Sequence, residues 1–399
     1  MFLVNSHRSH RQPLDPRDAS IFENADDHVA AYLSCRPDHR PTALLSLEAL
    51  AREAGVASVH MKDEGTRFGL GSFKALGGAY AVATLLLEQA SRTLGRRIGF
   101  DEMTSAPVRE VAEGLTMACA TDGNHGRSVA QGAQMLGARC AIFVHSGVSA
   151  ERIAAIARFG AEMIRVEGTY DDSVAEATRV SRERGWMIVS DTSWPGYEEI
   201  PGLVMQGYTA LIREAMHALS DRPTHVFVQA GVGGLAAAVA GYLEHLHGGD
   251  RPAVVVVEPG RAACLFETAR AGQVVKIPHG EATVMAMLEC YEASPTAWRI
   301  LSRTADAFMT VDEEDAVAIM NRLARPRGGD PAIVSGESGG VGLAGFVRAV
   351  ADAHIREALR LGPDSRIFVI NTEGATDPVR YRELVGIAPE QVGEAAVPA

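Results

Sequence analysis

A lysine placed among glycines at the start of an apolar run is the first residue of this 399-residue chain whose setting suits covalent chemistry. Residues 67–80 read RFGLGSFKALGGAY, and the pattern predicts an apolar helix from Lys74 to about Leu87 with Ser72 as its N-cap. An ammonium in a first helical turn faces the positive end of the helix dipole. With Phe73 and Leu76 beside it, the charged form of Lys74 is disfavoured, which helps Schiff-base chemistry. Taken alone, the segment also fits a solvated surface lysine.

Three further clusters carry polar groups at predicted strand ends. Residues 120–129, ATDGNHGRSV, place Asp122, Asn124 and His125 in one short turn, an acid, an amide and an imidazole beside backbone donors for an anion. An N-cap aspartate next to a core histidine is the competing reading. Residues 229–235, QAGVGGL, lie between a predicted strand and an Ala-rich helix, so Gly231, Val232, Gly233, Gly234 and Leu235 form a candidate phosphate cradle. Gly231, Gly233 and Ala236 also match GxGxxA, with Glu258 closing the next strand where a ribose-binding acid would stand. A nicotinamide-dependent dehydrogenase therefore stays open on this unit, as does a turn whose glycines serve only helix packing. Residues 190–207, SDTSWPGYEEIPGLVMQG, set Asp191, Trp194, Tyr197, Glu198 and Glu199 around two prolines, either a loop over a site or a linker between domains. SGESGGVG (335–342) and NTEGATDP (371–378) put small polar residues at element ends, where turn chemistry is the alternative.

The elements that must position these residues alternate along the chain. Short β-branched runs at 115–120, 140–145, 162–167, 186–191, 224–229, 253–258 and 366–371 predict strands, and helix-like segments at 126–136, 151–159, 171–184 and 235–247 lie between them. The alternation predicts an α/β architecture with parallel sheets covered on both faces and sites at the carboxyl ends of strands. Residues 91–113 lack a clear apolar period and are read as a surface excursion near a domain edge. The tail from 386 lacks a buried-face pattern.

Composition narrows the function classes. A formal charge of -12 argues against a broad nucleic-acid or anionic-membrane surface, since phosphate binding needs clustered Lys and Arg. The five cysteines (35, 119, 140, 264, 290) show neither CxxC nor metal-ligand spacing, so no disulfide framework and no metal is expected. Residues 1–15 contain only Phe2–Val4 as an apolar run, and no segment reads as a membrane span, so the expected location is the cytoplasm.

Taken together and in order, SFKALGG, TDGNHG, SDTSWPGYEEIP, QAGVGGL, SGESGGVGL and NTEGATDP resemble the fold-type II pyridoxal-phosphate enzymes, most closely the diaminopropionate ammonia-lyases, over about residues 62–381. The resemblance implies two parallel-sheet α/β domains with pyridoxal 5'-phosphate in the cleft between them. Residues 1–88 and 198–399 would form the large cofactor domain and 89–197 the small one. It implies that Lys74, next to Phe73, holds the cofactor, that Asn124 lies beside its 3'-oxygen, that Gly231–Leu235 bind its phosphate, and that Thr372 stands near its pyridine nitrogen. Glu258 would then have no ribose partner.

Asp122 occupies a place where serine and threonine dehydratases usually carry serine, and Asp191 matches a second acid position. The implied reaction is elimination of the β-amine of D- or L-2,3-diaminopropionate, giving pyruvate and two ammonia, with Asp122 and Asp191 on opposite faces of Cα. A dehydratase-like eliminase acting on another β-substituted amino acid is the alternative. The chain departs from the family pattern at Gly71-Ser72 and over 283–298, TVMAMLECYEASPTAW, which bears on substrate preference if that run lines the pocket. A small amino-acid substrate and a homodimer are implied by the resemblance alone.

Overall fold

Uninterrupted β-branched runs set the sheets. The computed structural model describes residues 1–121 and 123–393. Among these the strands, in chain order, are β1 (Phe2–Val4), β2 (Leu44–Ser46), β3 (Ser58–Asp63), β4 (Thr116–Ala120), β5 (Arg139–His145), β6 (Glu162–Val166), β7 (Met187–Ile188), β8 (His225–Gln229), β9 (Ala253–Pro259), β10 (Ala307–Val311) and β11 (Arg366–Asn371). The seven strands anticipated from sequence are all present, and β1, β2, β3 and β10 are additional.

The chain divides into two compact units. One comprises Met1–Glu23, Pro41–Phe73 and Leu211–Ala399, and the other Asn24–Arg40 and Lys74–Ala210. A switch at 88/89 would fall inside the helix Lys74–Leu94, and one at 197/198 falls just before the helix Glu199–Ala218. Residues 91–113 are more regular than expected. The first helix runs on to Leu94, a 3-10 turn follows at Phe100–Glu102, and Ala106–Glu113 is helical.

In the first unit seven strands lie in the order β1-β10-β9-β8-β11-β3-β2. The five inner strands are parallel, and β1 and β2 close the edges antiparallel. Val254, Val255, Val256 and Val257 are all fully buried, as a sheet covered on both faces requires. Burying each contributes about 1.5–3 kcal/mol. Phe227, Val257, Met309 and Phe346 belong to one core packed on this sheet. The chain passes from β8 outward through β9 and β10, then returns to place β11 on the other side of β8. Strand order therefore reverses between β8 and β11, and the crevice beyond their carboxyl ends is where an open α/β sheet binds ligand.

The second unit repeats this logic with four parallel strands in the order β6-β5-β4-β7. Here the reversal lies between β4 and β7. The turns after these two strands carry 121–124 and 190–191, two of the clusters singled out in the sequence.

Candidate active site

Lys74 begins the helix Lys74–Leu94, whose residues Ala75 to Ala83 are all buried. Ser72 lies two positions earlier in an antiparallel bridge with Glu373, so it does not occupy the N-cap position expected from sequence. The consecutive glycines Gly77 and Gly78 face two different helices. A Cβ at Gly77 would stand 2.4 Å from Tyr208 Cε1 and 2.7 Å from the Val204 carbonyl, and one at Gly78 would stand 2.7 Å from Ser128 Oγ. Ser128 Oγ in turn accepts the Ala79 N–H at 2.9 Å. Only glycine permits both approaches, and they fix the rotation of the helix whose first residue is Lys74.

The Lys74 ammonium donates to Oδ2 of Asp191, which follows β7 by three residues and is 117 positions away in sequence. Nδ1 of His125 lies 3.9 Å from the same oxygen. His125 is 5 % exposed, and its Nε2 is 2.8 Å from the Val189 carbonyl. A carbonyl only accepts, so Nε2 carries the hydrogen. Burial pushes the Asp191 carboxyl up, but Lys74 and His125 outweigh it and hold Asp191 well below the usual carboxylate range. Burial pushes His125 down; Asp191 opposes this and Lys74 adds to it, leaving the ring neutral near pH 7. The result is a buried carboxylate shared between an ammonium and a neutral imidazole, an arrangement able to take, hold and return a proton.

The turn carrying Asp191 is stapled to itself. Tyr197 stacks on Trp194 with ring centroids 4.0 Å apart, its hydroxyl donates to the Ile188 carbonyl at 2.8 Å, and it accepts the Ser190 N–H at 3.0 Å. Asn124 opens the helix Asn124–Leu136 and is buried. Asp122, the other acid expected to act on substrate, lies outside the described residues.

In the first unit Gly231 to Gly233 turn the chain from β8 into the helix Gly234–His247. Gly233 has φ 101°, a conformation that favours glycine, and no side chain caps the helix. Its first N–H groups are thus left for an anion. A Cβ at Gly231 would meet Cys290 Sγ at 2.9 Å, and the Val232 carbonyl accepts the Ser294 N–H at 2.9 Å, so the turn is held from behind by the 283–294 run. That run, where the chain departs from the family pattern, packs on the glycine turn, and the Met287 N–H reaches Ser338 Oγ at 3.1 Å. A glycine cradle, an uncapped helix start and, in the other unit, a lysine with a buried carboxylate partner fit the phosphate and the aldehyde of pyridoxal phosphate.

Thr372, just past β11, has its hydroxyl 3.0 Å from Gln229 Nε2 and 3.4 Å from the Ser338 carbonyl, and its own carbonyl accepts the Phe73 N–H at 3.0 Å. Phe73 and Thr372 are therefore joined through the backbone. Glu258 is committed elsewhere. Its carboxyl accepts the N–H groups of Leu265 at 2.8 Å and Phe266 at 2.7 Å, capping the helix Cys264–Ala271, and burial pushes its pKa up to about 8. An acid so used has no oxygen to spare for a ribose, which removes the dinucleotide reading of the glycine turn. Among the described residues no group of three or more His, Cys, Asp or Glu could hold a metal ion, the five cysteines are free, and no helix is long and apolar enough to cross a membrane.

Sequence reasoning assigned no role to Gln229, Ser338, Tyr208 or Tyr197. Gln229 and Ser338 sat inside clusters that had been singled out, but their partners are more than a hundred positions away. Tyr208 and Tyr197 carry no local signal, since an aromatic in an apolar helix or beside a turn proline is ordinary.

The family described as pyridoxal-phosphate dependent enzyme matches residues 35–373. The chain is 41 % identical over 355 residues to a diaminopropionate ammonia-lyase of Escherichia coli (strain K12), covering 87 % of each. It is 36 % identical over 372 residues to that of Salmonella typhimurium (strain LT2), covering 91 % of this chain and 92 % of the relative. The crystal structure of the Escherichia coli enzyme in complex with an aminoacrylate-PLP azomethine reaction intermediate superposes with a TM-score of 0.86 and 36 % identity, over 96 % of both chains.

Proposed function

The chain belongs to the pyridoxal-phosphate dependent enzymes, and on that premise we propose that it removes the β-amino group of 2,3-diaminopropionate, releasing pyruvate and two molecules of ammonia. The observation that carries this reading is the pairing of the Lys74 ammonium with a buried Asp191 carboxylate. A lysine poised this way exchanges protons with its neighbour as its nitrogen is bound and freed. The bound cofactor withdraws electrons from the substrate Cα, making its proton labile.

The chain's own residues supply the rest. Lys74 holds the cofactor through Nζ, with Phe73 beside it. The amides of Gly231, Val232, Gly233, Gly234 and Leu235 hold the phosphate, Asn124 hydrogen-bonds the 3'-oxygen, and the Thr372 hydroxyl faces the pyridine nitrogen. Asp122 takes the Cα proton of the D-isomer, and Lys74 assisted by Asp191 takes that of the L-isomer. Each positioned proton transfer is worth about 10²–10⁴ in rate. The leaving amine departs protonated, and the three-carbon enamine released takes up water to give pyruvate and the second ammonia. A homodimer in the cytoplasm belongs to the same reading, as the resemblance implies.

The test is a substrate panel of D- and L-diaminopropionate, serine, threonine and β-chloroalanine, read as pyruvate and ammonia. We expect turnover of diaminopropionate with twice as much ammonia as pyruvate, and a coloured protein whose visible band is removed by borohydride and absent in Lys74→Ala. Efficient turnover of serine without turnover of diaminopropionate refutes the substrate assignment.

A further inference from the structure

We propose that Gln229 is a positioning residue that fixes the Thr372 hydroxyl as a hydrogen-bond donor and thereby keeps the cofactor's ring nitrogen unprotonated, an inference that rests on the reading of the site given above.

The argument is one of donors and acceptors. Gln229 closes β8, is 1 % exposed, and reaches across the point where strand order reverses. Around its Nε2 stand four oxygens: the carbonyls of Gly339, Ile370 at 3.1 Å and Ser338 at 3.3 Å, and Thr372 Oγ1 at 3.0 Å. Its Oε1 faces the Gly342 N–H at 3.3 Å. The amide can take only this orientation. Turned over, its oxygen would oppose three carbonyls and its NH₂ would oppose an N–H.

Glycines bring these groups together. A Cβ at Gly342 would stand 2.5 Å from the Phe227 carbonyl and 2.8 Å from Gln229 Oε1. One at Gly339 would stand 2.4 Å from the Glu373 carbonyl. The 335–342 loop, whose sequence offered only turn chemistry, thus serves to orient one amide.

Because Nε2 has no lone pair to offer, Thr372 Oγ1 accepts from it, and the hydroxyl hydrogen must point elsewhere. The nearest protein acceptor is the Ser338 carbonyl at a stretched 3.4 Å, so the hydrogen is free to serve a stronger acceptor. A pyridine nitrogen has one lone pair in the ring plane. If it accepts from a hydroxyl it cannot also hold a proton. Gln229 therefore sets the electron demand of the ring at one remove, through the direction of a single O–H. A weakly withdrawing ring favours prompt loss of a β-substituent over a long-lived carbanion.

The test uses the whole protein reconstituted with pyridoxal phosphate labelled with ¹⁵N in the ring, read by NMR. The parent is expected to show an unprotonated ring nitrogen whose shift does not change with pH. Gln229→Met removes both N–H donors and frees the hydroxyl to turn its lone pair inward. The resonance should move toward the protonated position and become pH-dependent. Gln229→Glu, closer in shape and chosen in case the methionine variant does not fold, puts an acceptor beside Thr372 and should move the resonance the same way. Thr372→Val should also shift it, Thr372→Ser should keep the parental value, and the Gln229→Met/Thr372→Val pair should match Thr372→Val alone.

A Gln229 variant with the parental resonance, while Thr372→Val moves it, overturns the role of Gln229 and leaves the assignment of Thr372 standing. A protonated ring in the parent, or a resonance indifferent to Thr372→Val, overturns the inference together with that assignment. Failure of the parent to bind the labelled cofactor overturns the function proposed above as well.

Discussion

Gly77→Ala tests whether helix packing, rather than the lysine alone, places the reactive nitrogen. The added Cβ would lie 2.4 Å from Tyr208 Cε1 and 2.7 Å from the Val204 carbonyl, where ordinary contact begins at 3.4 Å. The Tyr208 ring would therefore have to retreat by about 1 Å and the backbone at Val204 by about 0.7 Å, an overpacking that costs roughly 1–3 kcal/mol. Retreat of the backbone is the harder part, because a Cβ at Gly207 of the same helix would already stand 2.7 Å from the Leu76 carbonyl. A shift of that size at the first turn moves Lys74 relative to Asp191, and a displacement of about 1 Å in a reacting group lowers turnover on the order of a hundredfold. The assay is kcat and KM for diaminopropionate alongside urea unfolding. Gly249→Ala serves as control, since nothing lies within 4 Å of its Cβ. We expect kcat to fall far more than the share of protein unfolded explains, with Gly249→Ala unchanged. A Gly77→Ala protein with parental kcat and stability refutes the view that the two-glycine crossing sets the position of Lys74.

Two further predictions follow from the acids. Asp122→Asn should depress turnover of D-diaminopropionate and Asp191→Asn that of the L-isomer, each by about 10²–10⁴ against its own isomer and less against the other. Equal losses on both isomers remove the two-face assignment. Glu258 holds its proton up to about 8 in the folded protein against an ordinary 4.5, so its contribution to stability is complete below about 4.5 and is lost as pH rises through about 8. Relative to Glu258→Gln, the parent should lose up to about 5 kcal/mol over that window, being 3.5 units at about 1.4 kcal/mol each. Urea unfolding of both proteins at the two ends of the window measures it, and a difference that does not change with pH means the carboxyl is ionised throughout.

The sequence by itself determined what local rules govern. β-Branched runs such as Val254–Val257 can hardly be anything but buried strands, and a glycine cluster between such a strand and an Ala-rich helix must be a tight turn with free amides. That made the α/β class, the cradle at 231–235 and the lysine at a helix start legible, and the order of six motifs pointed to one family. β3 escaped because residues 58–63, SVHMKD, look too polar for a buried strand. Lys62 is 1 % exposed only because Glu214 meets it at 2.6 Å, and Glu214 also pairs with Arg67, which in turn holds Glu64. A charge becomes compatible with burial through partners that the local sequence does not name.

The same holds for the site. Which carboxylate meets Lys74, whether Glu258 serves a ribose or a helix, and which amide directs the Thr372 hydroxyl are settled between residues 117, 7 and 143 positions apart. Local propensity fixes where a turn forms. Only the packing of whole sheets decides which turns face one another, because hydrogen bonds and ion pairs are set by distances of a few ångströms that no spacing along the chain encodes.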